Sequence, residues 1–175
     1  INIHIPKTTF KDRFKLNNFE LNANSTKEKH LIVGMNSDSI TLSNQKGAML
    51  SLHQLLFNAD VFQSTIDFQL SWRNRADSSG QHSHLNGNFD AHDKSNMEGH
   101  ITDSQILLNG STFRFNNHNG ILIQKDRIVV DNLVFSDEKS SIKVNGAYSK
   151  LPDDHLMVTV NNFDISTVND FLSGI

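Results

Sequence analysis

The chain has 175 residues with 16 basic and 19 acidic side chains, a formal net charge of −3 and no cysteine. So balanced a charge gives no field to hold a phosphate backbone, which excludes nucleic acid as a partner; without cysteine there is neither a disulfide scaffold nor a thiolate metal site, and the redox compartment stays open. Leu, Ile, Val and Phe number 17, 14, 9 and 12, enough to bury a core, and one all-β unit spanning 1–175 is an ordinary length for a single domain.

Ile1-Asn2-Ile3-His4-Ile5 already alternates like the inside of a strand, with no basic or apolar leader before it, and Phe171-Leu172-Ser173-Gly174-Ile175 ends without a charged tail. Both ends therefore read as cuts within a longer polypeptide, with any signal or membrane anchor outside this segment. No apolar run approaches the roughly 18 residues needed to span a bilayer, so the segment is expected to be soluble. In chain order the alternation predicts strands at 1–5, 13–22, 30–35, 39–43, 48–56, 60–73, 81–92, 96–102, 104–109, 111–116, 120–124, 127–131, 132–136, 140–149 and 155–163. The polar stretch Arg73-Asn74-Arg75-Ala76-Asp77-Ser78-Ser79-Gly80 is the predicted mobile loop. Ser166 to Leu172, with Ser166 as the N-cap, predicts one short C-terminal helix.

Leu85-Asn86-Gly87, Leu108-Asn109-Gly110 and Val144-Asn145-Gly146 repeat an apolar-Asn-Gly step at unequal spacing. Both residues accept positive φ, so each step is expected to end its run in a turn.

The second half carries the clearest pattern. Ile101, Ile106 and Leu108, Phe113 and Phe115, Ile121 and Ile123, Ile128 and Val130, Leu133 and Phe135, Ile142 and Val144, and Val158 and Val160 keep one parity within each strand. Each strand then has one apolar and one wet face, and strands in series build a single long sheet with a continuous greasy surface. These residues are the candidate binding surface.

The segment Gly120-Ile121-Leu122-Ile123-Gln124-Lys125-Asp126-Arg127-Ile128-Val129-Val130-Asp131-Asn132-Leu133-Val134-Phe135-Ser136-Asp137, followed by Ser141-Ile142-Lys143-Val144-Asn145-Gly146, resembles the repeat of the AsmA-like and TamB families, as does Leu156-Met157-Val158-Thr159-Val160-Asn161-Asn162-Phe163-Asp164-Ile165-Ser166. The resemblance covers residues 85–172 well and the first half only in style, through soft patterns. It implies an elongated, curved antiparallel sheet folded into an open trough (a β-taco) with an apolar interior. It also implies a periplasmic segment of a Gram-negative envelope protein, with phospholipid or another amphiphile as ligand and outer-membrane assembly proteins as further partners. The implied function is lipid transport between membranes, protein translocation and assembly, or both, without catalysis.

Other chemistry is less well supported by the residues. His82 and His84 share a strand face near His92 and His100, but Ser and Asn flank them and no acidic ligand is fixed by spacing, so exposed strand histidines are expected and no metal or other cofactor. The carboxylate neighbours Asp90 and Asp93, Asp126 and Asp131, Asp137 and Glu138, and Asp153 and Asp154 all sit beside turn residues, where Asp caps backbone. No Gly-x-Ser-x-Gly elbow or phosphate-cradling loop occurs, and an enzyme is not expected. Trp72 is expected to pack at a strand end, the alternative being a groove rim. The competing reading of the whole chain is a closed β-sandwich adhesin or glycan-binding module using Asn, His, Trp72 and Tyr148. One Trp and one Tyr against 12 Phe favour apolar burial over sugar stacking.

Overall fold

A computed structural model describes residues 1–11, 13–26, 28, 30–44, 47–74, 82–91, 93, 95–108 and 111–163. It is all-β: 78 % of the described residues are strand, none is helical, and the thirteen strands make one antiparallel sheet that is not a closed barrel. The strands are β1 (Asn2–Phe10), β2 (Phe14–Ser25), β3 (His30–Asn44), β4 (Gly47–Phe62), β5 (Thr65–Asn74), β6 (Ser83–Ala91), β7 (Asn96–Ile101), β8 (Gln105–Leu108), β9 (Ser111–Phe115), β10 (Gly120–Gln124), β11 (Arg127–Ser136), β12 (Ser141–Ser149) and β13 (Leu156–Asn161).

Pairing follows chain order throughout. β7 and β8 both lie along β6, β9 and β10 both lie along β11, and the two broken strands pair with each other as β7 with β10 and β8 with β9. The sheet is therefore a meander of eleven rungs, two of them interrupted.

A line of irregularities crosses it. Pro6 of β1 interrupts the β1–β2 pairing opposite Asn18, which has φ 46°; Gln54 of β4 has φ 49° at a register shift; Asn132 of β11 has φ 48° at another; and Gly146 of β12 has φ 113°. Between them fall the breaks at 102–104 and 116–119. The bulges at Gln54 and Asn132 bend their strands, and the alignment of these irregularities creases the sheet along its length, giving an open curved sheet.

Side chains complete the ladder where the crease breaks it. Asn119 Oδ1 accepts from Ile101 N (2.8 Å) while its Nδ2 donates to Ile101 O (2.9 Å), so the amide stands in for a backbone residue. Asn116 does the same toward β11, accepting from Val134 N (3.0 Å) and donating to Asn132 O (2.9 Å). Ser37 donates to Asn17 O, Ser83 accepts from Leu107 N and Ser104 accepts from Asn86 N. These three serines are the buried polar residues among those described, and all three serve the crease. Asn119→Ala would strand both backbone groups of the buried Ile101. It is expected to cost about 1–3 kcal/mol, read as a lower urea midpoint.

Several sequence expectations change. The pairs 30–35 with 39–43 and 127–131 with 132–136 are single strands, β3 and β11, each carried through the crease. The expected strand 60–73 is instead divided by a turn at Gln63-Ser64, with Gln63 at φ 54°, and 48–56 runs on to Phe62. Asn86-Gly87 and Asn145-Gly146 do not end their runs; they lie inside β6 and β12, at the crease. Asn109-Gly110 falls between β8 and β9 and lies outside the described residues. So do the C-terminal helix and residues 75–80 of the expected loop, while Arg73 and Asn74 end β5.

Candidate functional site

Cross-strand partners share a face, so the registers trace the apolar surface directly. One row runs Ile3, Leu21, Met35, Phe57, Leu70, Leu85; the next runs Ala23, Val33, Ala59, Phe68, Gly87, Ile101. A third passes Leu31, Val61, Ile66, Phe89, Gly99, Ile121 and Val130, and a fourth Ala91, Met97, Ile123, Ile128 and Tyr148. The Phe57, Phe68 and Phe89 rings stack at 6.4 and 6.0 Å along this floor. Phe68 and Phe89 lie over Gly87 and Gly99, where any Cβ would collide with the rings.

Beyond the crease the same face continues. In β11 the apolar positions are even before Asn132 (Ile128, Val130) and odd after it (Leu133, Phe135), yet their β12 partners Tyr148, Gly146, Val144 and Ile142 are all even. The bulge's extra residue thus keeps Ile128, Val130, Leu133 and Phe135 on one side, while Val129 and Val134 point to the other. Val158 and Val160 of β13 extend the face beyond Val144 and Ile142.

The fifteen candidate residues therefore share one surface but differ in cover. Ile101, Leu108, Phe113 and Val130 are buried; Ile106, Phe115, Ile121, Ile123, Leu133, Phe135, Ile142 and Val144 are half-buried; Ile128, Val158 and Val160 are exposed. Phe113, 1 % exposed, meets Phe135 edge-on at 6.1 Å and Phe163 at 5.5 Å. Phe163 follows β13, three rungs away, so the sheet curls over Phe113 here and this part is packed core rather than open lining.

Elsewhere the face is largely half-buried or exposed: among the described residues all strands belong to one sheet, Leu21, Met35, Phe57, Leu70 and Leu85 are half-buried, and Ile3, Leu31 and Ile128 are exposed, where a face closed under a second sheet would be buried. The chain exposes 11578 Å², against roughly 8,600 Å² for a compact protein of this mass. The first-half residues of the surface, from Ile3 to Leu85, were not among the sequence candidates. Their signal was the run Ile66, Phe68, Leu70, which the cross-strand partners extend in both directions.

The opposite face is wet. His4 pairs with Glu20 at 3.4 Å and His30 with Asp60 at 3.3 Å, and Asn88 donates to Asp67. Trp72, 9 % exposed, packs at the crease and is not a rim residue; Tyr148 is exposed. His82 Nε2 lies 2.8 Å from Arg73 Nη2, and His100 stands opposite Asn88, four residues along β6 from His84. Among the described residues no three His, Asp or Glu side chains gather at a metal-sized site, and His92 lies outside them. The turn carboxylates cap backbone: Asp93 accepts from Ser95 N and Asn96 N, and Asp137 from Lys139 N and Ser140 N, which holds the Asp137 carboxyl below its usual range.

Asp154 is tied at the rim, where Arg127 grips it bidentately at 2.8 and 2.9 Å and Ser149 donates at 2.7 Å. The guanidinium hydrogen bonds, then the hydroxyl, lower its pKa from 3.8 to about 2. A carboxylate lowered on folding stabilises the fold above its unfolded pKa and loses that contribution as pH falls through the folded one. Between pH 4 and 2 wild-type stability should therefore fall more steeply than that of Asp154→Asn, measured by urea midpoints across that range.

Comparison with known proteins finds no matching family model, curated protein or solved structure.

Proposed function

We propose that this chain is a non-catalytic, periplasmic segment of a TamB/AsmA-like envelope protein, whose apolar face carries the acyl chains of a phospholipid or similar amphiphile between inner and outer membranes, alone or in support of outer-membrane protein assembly. The observation that carries the reading is a single apolar surface that runs over eleven rungs of one sheet and, outside the curl over Phe113, is largely half-buried or exposed. Lone exposed apolar residues are ordinary, whereas a contiguous surface of this size marks a binding site. Acyl chains suit it because an unbroken row of Ile, Leu, Val and Phe offers dispersion and desolvation without directional bonds, so a tail can move along it at little cost. Polar headgroups remain at the rim, beside Lys125, Arg127 and Lys150. The repeat-like segments within 85–172 supply the family part of the proposal.

The test is whether the purified chain carries or accepts an amphiphile. Mass spectrometry of organic extracts should reveal co-purified lipid, and a fluorescent fatty acyl probe should bind saturably. Clean extracts together with an unresponsive probe would overturn the reading.

A further inference from the structure

Charge is balanced over the chain but not over the sheet. In sequence, the segments 7–17, 39–53 and 72–82 hold seven Lys and Arg against two Asp, leaving nine basic against seventeen acidic residues elsewhere. Two aspartates cannot neutralise seven cations. The described residues of these segments lie together on one side of the crease, at the rim formed by the β1–β2 turn. On the other side of the crease the same strands and their neighbours carry Glu20, Asp60, Asp67, Asp90 and Glu98.

The pleat sorts this rim by face. Lys7 and Lys15 are diagonal neighbours on the wet face, where side chains stand roughly 7–8 Å apart, and Arg73 shares that face, opposite His53. Lys11, at φ 49°, and Arg13 stand in the turn itself. Arg13 N closes that turn by donating to Phe10 O (3.1 Å), and Ser43 N ties it to β3 by donating to Arg13 O (2.7 Å). Among the described residues Lys7, Lys11, Arg13 and Lys15 have no carboxylate within ion-pair distance. On the apolar face the rim ends in Phe10, Phe14 and Leu42, paired in one row, and Phe10 and Leu42 are 63 % and 42 % exposed. Lys11 Nζ stands 5.4 Å from the centre of the Phe10 ring, so cation and apolar surface share one corner.

We propose that this rim is a docking edge and that its occupant is the surface of an anionic lipid bilayer. Charge complementarity selects the partner: each Lys or Arg held near such a surface strengthens binding about fivefold, and the acidic side of the crease is repelled, so one rim turns toward the bilayer and the other away. The apolar end of the rim, Phe10 and Leu42, reaches the acyl boundary while the cations one residue away stay among the phosphates. Nucleic acid fits less well. It calls for aromatic rings and cations on one face, so that bases stack where phosphates are held, whereas the pleat places Phe10, Phe14 and Leu42 on one face and Lys7, Lys15 and Arg73 on the other. The rim is set by turns inside the chain: a further strand pairing with β1 would lie in the plane of the sheet and leave the β1–β2 turn where it is. The proposal concerns attachment and stands whether or not the apolar face carries lipid.

Vesicles of equal parts phosphatidylcholine and phosphatidylglycerol should co-sediment the purified chain, and vesicles of phosphatidylcholine alone should not. Added salt should release it, because exposed charges are screened. The triple variant Lys11→Gln, Arg13→Gln, Lys15→Gln changes exposed side chains, so its strand content by circular dichroism should match wild type while its binding to the anionic vesicles falls about a hundredfold. Phe10→Ser should also weaken vesicle binding, which attraction between charges alone would not produce. No binding to the anionic vesicles, equal binding to both kinds, a triple variant that binds as wild type, or a duplex DNA fragment held more tightly than the anionic vesicles would overturn the proposal. A chain that docks on these vesicles but takes up neither lipid nor acyl probe would leave it standing and overturn the lipid-carrying reading instead.

Discussion

Replacing Phe113 with Ala is expected to cost about 3–5 kcal/mol, the largest stability loss from any single truncation in the sheet. The ring is 1 % exposed and packs against Phe135 from β11 and Phe163 from beyond β13. Deleting it removes transfer energy and leaves a cavity where the curl of the sheet brings distant rungs together, so collapse around the gap would require the backbone to move. Phe115, half-buried and stacked on Phe135 at 5.4 Å, lacks that enclosure and should cost less as Phe115→Ala. Urea denaturation of both variants checks the order; equal losses would mean that the curl over Phe113 contributes nothing.

The second large effect separates an open lining from a closed core. Ile123 lies between Met97 and Ile128, and Val144 between Leu133 and Val158, all on the apolar face and both half-buried. In a closed core a buried, unpaired carboxylate costs several kcal/mol and unfolds a marginal domain. On an open face the carboxylate stays hydrated, so Ile123→Asp and Val144→Asp should remain folded with a modest drop in Tm while acyl-probe affinity falls by at least tenfold, a change of about 1.4 kcal/mol. A doubly charged variant that folds and binds as wild type would remove the apolar face from consideration as a lipid site.

Alternation alone revealed the strand content and the wet and apolar faces, because period-two patterning is a direct image of the pleat. It misplaced strand ends where the crease intervenes. An inserted residue at Asn132 switches apolar parity from even to odd, and a reader of the sequence sees two strands where the backbone continues as one. Asn-Gly was misread for a related reason: tolerance of unusual φ serves the crease at Gly146, beside the β11 bulge, as well as a turn. The first-half surface was illegible because Ala23, Ala59 and Gly87 interrupt its hydrophobic signal, and only cross-strand register joins them to Phe68 and Ile101. The cover over Phe113 depends on curvature, which no local pattern encodes.

Because each rung needs only its predecessor, the sheet can form in the order in which the polypeptide is made, and no late crossover must be threaded. The same arrangement sets how such a molecule can change size. Removing or duplicating a whole hairpin alters its length by about 9.6 Å, twice the ~4.8 Å spacing of neighbouring strands, while leaving every other side chain on its own face. Gain or loss of one strand instead reverses the direction of everything downstream and carries the following chain to the opposite rim. Length variation among proteins built this way should therefore come in hairpin steps.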